Sequence, residues 1–165
     1  MEVVNIHASC VVLREAGRAF GAPAECGVLI MGESGSGKSD LALRMIAKGA
    51  KLVSDDRTEL FVHAHVLCAR PPKTLAGLIE VRGVGILTIP FEQAAVIGLA
   101  VALVPRKQVP RMPPREDYNV PENLEVKKKP SLVRLSAFDD SAPAKIVAAA
   151  AAFANALFRE ENKPI

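Results

Sequence analysis

No stretch of this 165-residue chain is apolar for long enough to cross a bilayer. The longest uninterrupted apolar run, Ala94 to Val104, falls well short of the ~20 residues a membrane helix needs. The N-terminus, Met1-Glu2-Val3-Val4-Asn5, has no basic segment leading into an apolar one, so no secretory signal is expected. Cysteine is scarce. Cys10, Cys26 and Cys68 form an odd set with no Cys-x-x-Cys pair, which argues against a disulfide framework or a Cys-based zinc site. The expected compartment is a reducing cytoplasm. A large charge excess is also lacking: 21 Lys and Arg against 18 Asp and Glu leave +3, too little to mark the whole molecule as a nucleic-acid binder. No internal repeat is visible. What is present is 50% apolar and 24% charged residues, which suits one compact domain over residues 1–165.

The charge is unevenly placed. Between Pro105 and Arg134 eight Lys and Arg face four Asp and Glu, so this stretch holds +4 and the remainder −1. It also holds Pro105, Pro110, Pro113, Pro114, Pro121 and Pro130, which forbid a continuous helix and remove strand donors. The segment 105–134 is expected to be exposed, as either a solvated loop or a surface for an acidic or phosphorylated partner.

Around it the pattern is α/β and rich in strands. Cys10 to Leu13 and Gly27 to Met31 are apolar runs joined by a long hairpin-like excursion. Leu41, Ala42, Met45 and Ile46 recur at helical spacing within Lys38 to Ala47, and Gly49 supplies a stop. Strands are expected at Lys51–Ser54, Glu59–Val62, Val66–Ala69, Ile86–Ile89 and Leu99–Val104. The Ala-rich residues 142–160 predict a C-terminal helix.

The strongest motif is Gly32-Glu33-Ser34-Gly35-Ser36-Gly37-Lys38-Ser39, a full match to G-x-x-x-x-G-K-[ST]. Glycines let main-chain N–H groups converge on phosphate oxygens. Lys38 places a cation on the outer phosphates, and the Ser39 hydroxyl suits a Mg²⁺ ligand. The preceding strand and the following helix fit the motif, and the helix dipole favours an anion. The chain is expected to bind a nucleoside triphosphate with Mg²⁺. Soon after, Leu52-Val53-Ser54-Asp55-Asp56 ends an apolar strand in two carboxylates. Neighbouring strand residues point to opposite faces, so the pair is expected to divide its work: one for the metal, one to accept a proton from an attacking hydroxyl.

The run GESGSGKSDLALRMIAKGAKLVSDDRTEL, followed by Ile79-Glu80-Val81-Arg82-Gly83-Val84-Gly85-Ile86-Leu87, resembles the catalytic domain of bacterial HPr kinase/phosphorylase. The resemblance is dense over Gly27–Ile89, extends to Ile6–Leu13, and thins beyond Pro105. It implies a P-loop kinase fold of the HPr kinase and phosphoenolpyruvate carboxykinase-like type. It also implies ATP- and Mg²⁺-dependent phosphorylation of a serine on the phosphocarrier HPr or a paralogue, reversible by phosphate, in a homo-hexamer. By the same resemblance, Gly32 to Ser39 bind the nucleotide and Lys38 attends the transferring group. Ser39 and Glu80 ligate Mg²⁺, Asp56 exchanges the proton, and His7 matches a family histidine. Asp55 is left for the metal side. Arg82, two residues past Glu80, is a candidate for steadying phosphoryl charge.

Three departures stand out. The stretch between His7 and Gly32 is about ten residues longer than the family's. The family's later catalytic arginine has Arg111 as its best candidate here, with Arg115 next. Its late Val-Arg-Pro-Gly-Arg-Asn loop is represented at most by Val133-Arg134-Leu135-Ser136-Ala137, which lacks the glycine and second arginine. The chain is expected to be a short form made of the catalytic domain. Two other readings use the same cradle: a small-molecule kinase, which requires an enclosed acceptor pocket, and a nucleotide-sensing protein without productive transfer.

Overall fold

The computed structural model describes residues 1–159. Ten strands and two α-helices form a mixed α/β domain. The strands are β1 (Val4–Ile6), β2 (Ala8–Val12), β3 (Cys26–Met31), β4 (Lys51–Ser54), β5 (Thr58–His63), β6 (Val66–Arg70), β7 (Leu78–Val81), β8 (Gly85–Thr88), β9 (Ala95–Leu103) and β10 (Ser131–Leu135). The helices are α1 (Lys38–Ala47) and α2 (Ala142–Asn155). The large sheet runs β1-β5-β6-β9-β3-β2-β4, with β10 also pairing β9, while β7 and β8 form a separate hairpin.

Period-2 alternation explains both faces of this sheet. Val11, Val28, Ile30, Leu99, Val101 and Leu103 point to one side, where they pack with Leu41, Ala42 and Met45 of α1 and Ile146, Val147, Ala150 and Ala151 of α2. Cys10, Val12, Leu29, Val53, Leu60 and Ala100 point to the other. No helix covers that second side among the described residues. It is covered by the proline-rich segment, whose Tyr118 and Leu124 are buried in the second core, with Val120, Val126 and Leu132 packed against it.

The expectation of a merely exposed segment is therefore corrected. Proline stops the stretch from becoming a helix, but it does not stop an extended chain from turning alternate apolar residues inward. The Lys and Arg residues face out, while Tyr118, Val120, Leu124 and Val126 face in. The main-chain bonds Tyr118 N–H to Pro130 O (2.7 Å) and Leu132 N–H to Glu116 O (2.8 Å) fix this strap to its own return, and residues 131–135 join the sheet as β10.

Two other expectations shift. The excursion between β2 and β3 contains a 3-10 helix, Arg14–Phe20, which packs on α2 and receives the Asn155 side-chain N–H at Gly21 O (2.9 Å). Helix α2 ends at Asn155 because Ala156 takes a left-handed φ of 52° and Leu157 N–H bonds back to Ala152 O (3.1 Å), a Schellman-type stop. Beyond it the Phe158 ring packs at a tilt against Phe153, centroids 4.8 Å apart. Position 160, the last of the predicted helix, lies outside the described residues.

The parallel strands β3, β9 and β10 end on one edge of the sheet. Strand β2 is antiparallel to β3 and β4, so the end of β4 and the start of β2 lie on that edge too. Ligands of open α/β sheets collect at such carboxyl ends. If the strap is structural, Leu124→Ala should lower unfolding stability by about 2–5 kcal/mol, as other buried leucine truncations do. The exposed Lys129→Ala should change it by less than about 0.5 kcal/mol. Equal, negligible effects in urea melts would return the segment to the status of a solvated loop.

Candidate active site

Gly32 to Ser39 leave β3 and open α1, as the motif spacing requires. Gly37 at φ 96° stands immediately before the helix, a conformation that costs a residue with a Cβ. The first-turn N–H groups of α1 have no partner within the helix and point out of its end. Lys38 lies almost wholly buried and donates to Gly32 O (2.8 Å) and Glu33 O (2.9 Å), lashing the loop across its own base. Burial pushes its ammonium below the ordinary lysine value, against the opposing pull of Asp56 and Asp55. Among the described residues, the Ser36 hydroxyl is the buried side-chain polar atom without a hydrogen-bond partner. Its oxygen sits against Gly32, beneath the loop; the N–H groups left free at the start of α1 are what would meet a phosphate. The loop fits a phosphate chain.

The acidic pair arises from a break shared by two neighbouring strands. Register pairs Cys10 with Ser54 on β2 and β4, and Ile6 with Thr58 on β1 and β5. Between those pairs residues 7–9 face residues 55–57. Strand β4 ends at Ser54, and Asp56 takes a left-handed φ of 67°. Strand alternation was the expected reason for Asp55 and Asp56 to diverge; the turn is the actual one.

Asp55, 6% exposed, points inward. Its Oδ1 accepts the Ser9 and Ser39 hydroxyls, each at 2.8 Å, and its Oδ2 accepts the Glu80 N–H at 3.3 Å. Asp56 points outward with its side chain 64% exposed, 2.7 Å from His7 Nε2. The Ser9 hydroxyl also accepts the Asp56 N–H (3.1 Å), so one buried serine ties the Asp55 carboxylate to the Asp56 main chain.

A cleft of about 520 Å³ lies over this edge, lined by the phosphate loop, Ser39, Asp56, Glu80, Arg82 and Phe138. Glu80 belongs to β7, while Arg82 follows it in the turn to β8, where Gly83 at φ 86° reverses the chain. Ser39, Asp55 and Glu80 carry hard oxygens of the kind Mg²⁺ prefers, but among the described residues no three His, Cys, Asp or Glu side chains converge on one point. A magnesium ion here would take most of its ligands from bound phosphates and water. Arg111 is exposed and does not line the cleft. Arg115 sits 4.2 Å over the Phe158 ring. The structure thus brings together His7, Gly32 to Ser39, Asp55, Asp56, Glu80 and Arg82, and leaves out both downstream arginines.

Two residues escaped the sequence reading. Ser9 lies on β2, two positions past His7 in the break before that strand. Phe138 follows β10 on the turn Ala137–Asp139. Arg44 holds that turn by donating to Ala137 O and, at 3.2 Å, to Asp139 O. Arg106 Nε donates to Asp139 at 2.7 Å, and Lys145 lies 3.6 Å from the same carboxylate.

A sheet whose phosphate loop opens a helix at the carboxyl ends of parallel strands defines the class: a P-loop α/β protein. A family model described as the HPr Serine kinase C-terminal domain matches residues 22–129, and the chain belongs to that family. Among curated proteins, the HPr kinase/phosphorylase of Clostridium acetobutylicum is 43% identical over 77 residues, covering 47% of this chain and 24% of that protein. The HPr kinase/phosphorylase of Enterococcus faecalis is 45% identical over 64 residues, covering 38% and 21%. The matches thus span a quarter or less of those relatives' length. The solved Hpr(Ser) kinase/phosphatase of Coxiella burnetii superposes with a TM-score of 0.68 over 87% of this chain and 91% of that one. Its identity is 24%, so this likeness is one of fold.

The serine clamp and the braced turn can each be tested by substitution. Ser9→Ala removes a donor from a buried carboxylate and an acceptor from a main-chain N–H, and should destabilise the fold by about 1–3 kcal/mol; an unchanged melting temperature contradicts the clamp. The Asp139 carboxyl is held below its ordinary value of 3.8, chiefly by the Arg106 hydrogen bond. A lowered native pKa gives stability that is present above the unfolded value and lost as pH falls through the native one. The melting difference between wild type and Asp139→Asn should therefore hold steady from neutral pH to about 5 and shrink below about 4. A difference that grows with acid contradicts the assignment.

Proposed function

We propose that this chain is the phosphotransfer domain of a serine kinase of the HPr kinase type, using ATP with Mg²⁺ to phosphorylate a small carrier protein. The observation that carries this reading is the exposed Asp56 carboxylate, backed by His7, lining the same cleft as the phosphate loop. In the reaction the loop amides and Lys38 hold the terminal phosphates. Their positive charge favours the extra negative charge of transfer. Ser39, Asp55 and Glu80 would be the residues to hold Mg²⁺, which would supply positive charge against the phosphates. A serine hydroxyl is a weak nucleophile until a base takes its proton; Asp56 is the acceptor, and His7 holds its carboxylate in place. Arg82 adds a cation at the open side of the cleft. In reverse, Asp56 returns that proton to the serine oxygen as phosphate takes up the phosphoryl group.

The exposure of Asp56 favours a protein acceptor over a small molecule. A small-molecule kinase needs walls that exclude water around its substrate, and here the base lies largely open. A cytoplasmic carrier with a protruding serine suits that opening.

The test is incubation with labelled ATP, Mg²⁺ and an HPr-type carrier, followed by mapping of phosphoserine. Asp56→Asn should cut transfer by about 10²–10⁴-fold while ATP affinity stays near wild type. Lys38→Ala should weaken nucleotide binding itself. Near-normal transfer by Asp56→Asn removes the base assignment, and a chain that binds ATP without phosphorylating any carrier supports the sensor reading instead.

A further inference from the structure

Among the described residues Phe138 is the one aromatic lining the cleft, and its place there is otherwise unexplained. It is 73% exposed, and an apolar ring left in water gains nothing for the fold. Yet the turn that carries it is among the most firmly held on this edge. Arg44 reaches from α1 to Ala137 O and Asp139 O, and Arg106 and Lys145 both engage the Asp139 carboxylate. The turn also packs directly on the phosphate loop. A Cβ placed on Gly37 would meet the Ala137 Cβ at 2.9 Å and the Phe138 ring at 3.3 Å. An exposed ring on a braced turn therefore stands beside the last glycine of the cradle, at the carboxyl end of β10, which is parallel to β9 as β9 is to β3.

We infer that Phe138 is the platform on which the base of the bound nucleotide stacks. The inference rests on the phosphate-loop reading and adds the second half of the ligand to it. With the terminal phosphates on Lys38, a nucleoside extending along the mouth of the cleft comes to the residues flanking Gly37, and Phe138 is the flat apolar surface there. Stacking uses the π-face that every base has, so the ligand class is nucleoside triphosphates as a group, without a hydrogen-bonded code for one base. The bracing by Arg44 and Asp139 keeps the ring in place before the ligand arrives, which lowers the ordering cost of binding.

The experiment compares two ligands by calorimetry in the presence of Mg²⁺: ATP, which has a base, and inorganic tripolyphosphate, which has none. Phe138→Ala should weaken ATP by about 5- to 100-fold, the range that loss of one stacked base produces, and leave tripolyphosphate unchanged. Phe138→Tyr should keep ATP affinity. The chain has no tryptophan, so Phe138→Trp installs a single reporter whose fluorescence should respond to ATP and not to tripolyphosphate. Equal weakening of both ligands by Phe138→Ala, no weakening of either, or fluorescence of the Phe138→Trp variant that is indifferent to ATP overturns the platform while the cradle stands. A wild-type chain that binds neither ligand overturns the phosphate-loop reading and the platform with it.

Discussion

The arrangement depends on one buried anion. Asp55 lies at the end of β4, almost out of contact with water, and holds three donors from three different parts of the chain: Ser9 on β2, Ser39 on α1 and the Glu80 N–H on β7. A carboxylate removed from water is costly unless its lone pairs are filled. Here they are filled by β2, the helix after the phosphate loop and the Glu80 strand. The phosphate loop, the acidic turn and the Glu80 strand are held in mutual register by the need to satisfy this group. Any movement of one element strands a buried charge, which is why the cleft has a defined shape.

The same anion explains the division of labour between neighbouring carboxylates. Asp55 is turned inward and tied down; Asp56, forced into a left-handed conformation by the break between β4 and β5, is turned out towards the cleft and His7. Two identical side chains thus acquire different environments from one turn. One suits a fixed ligand role, the other exchange of a proton with an arriving hydroxyl. His7 occupies the matching break between β1 and β2, so its contact with Asp56 follows from the strand register across 49 residues of sequence.

Much of this was legible in the sequence because the signals were local. The phosphate loop is a fixed spacing of glycines and a lysine, the helix after it has its own periodicity, and the acidic pair closes an apolar run. The legible part stopped where folding depends on distant partners. In the segment 105–134, proline and charge dominate the composition and conceal the inward alternation of Tyr118, Val120, Leu124 and Val126, whose meaning depends on a sheet face left without a helix. Strand β10 was hidden in the same way. Its residues became a strand by pairing with the distant β9, a context that propensity does not record. Phe138 had no local signal at all, since its role depends on Gly37 lying beside it. Arg111 shows the opposite failure: a residue selected for its neighbours in sequence stands away from the cleft that a single chain forms.

The central claim is that phosphate groups are received at this edge, beside the acidic turn. The most direct measurement is the change in backbone amide resonances as a non-hydrolysable ATP analogue with Mg²⁺ is titrated in. The largest shifts should fall on Gly35 to Ser39 and on Ser9, Asp55 and Asp56, with the far ends of β5 and β6 unmoved. Saturable shifts confined to another face, or a loop whose amides ignore the ligand, would contradict it.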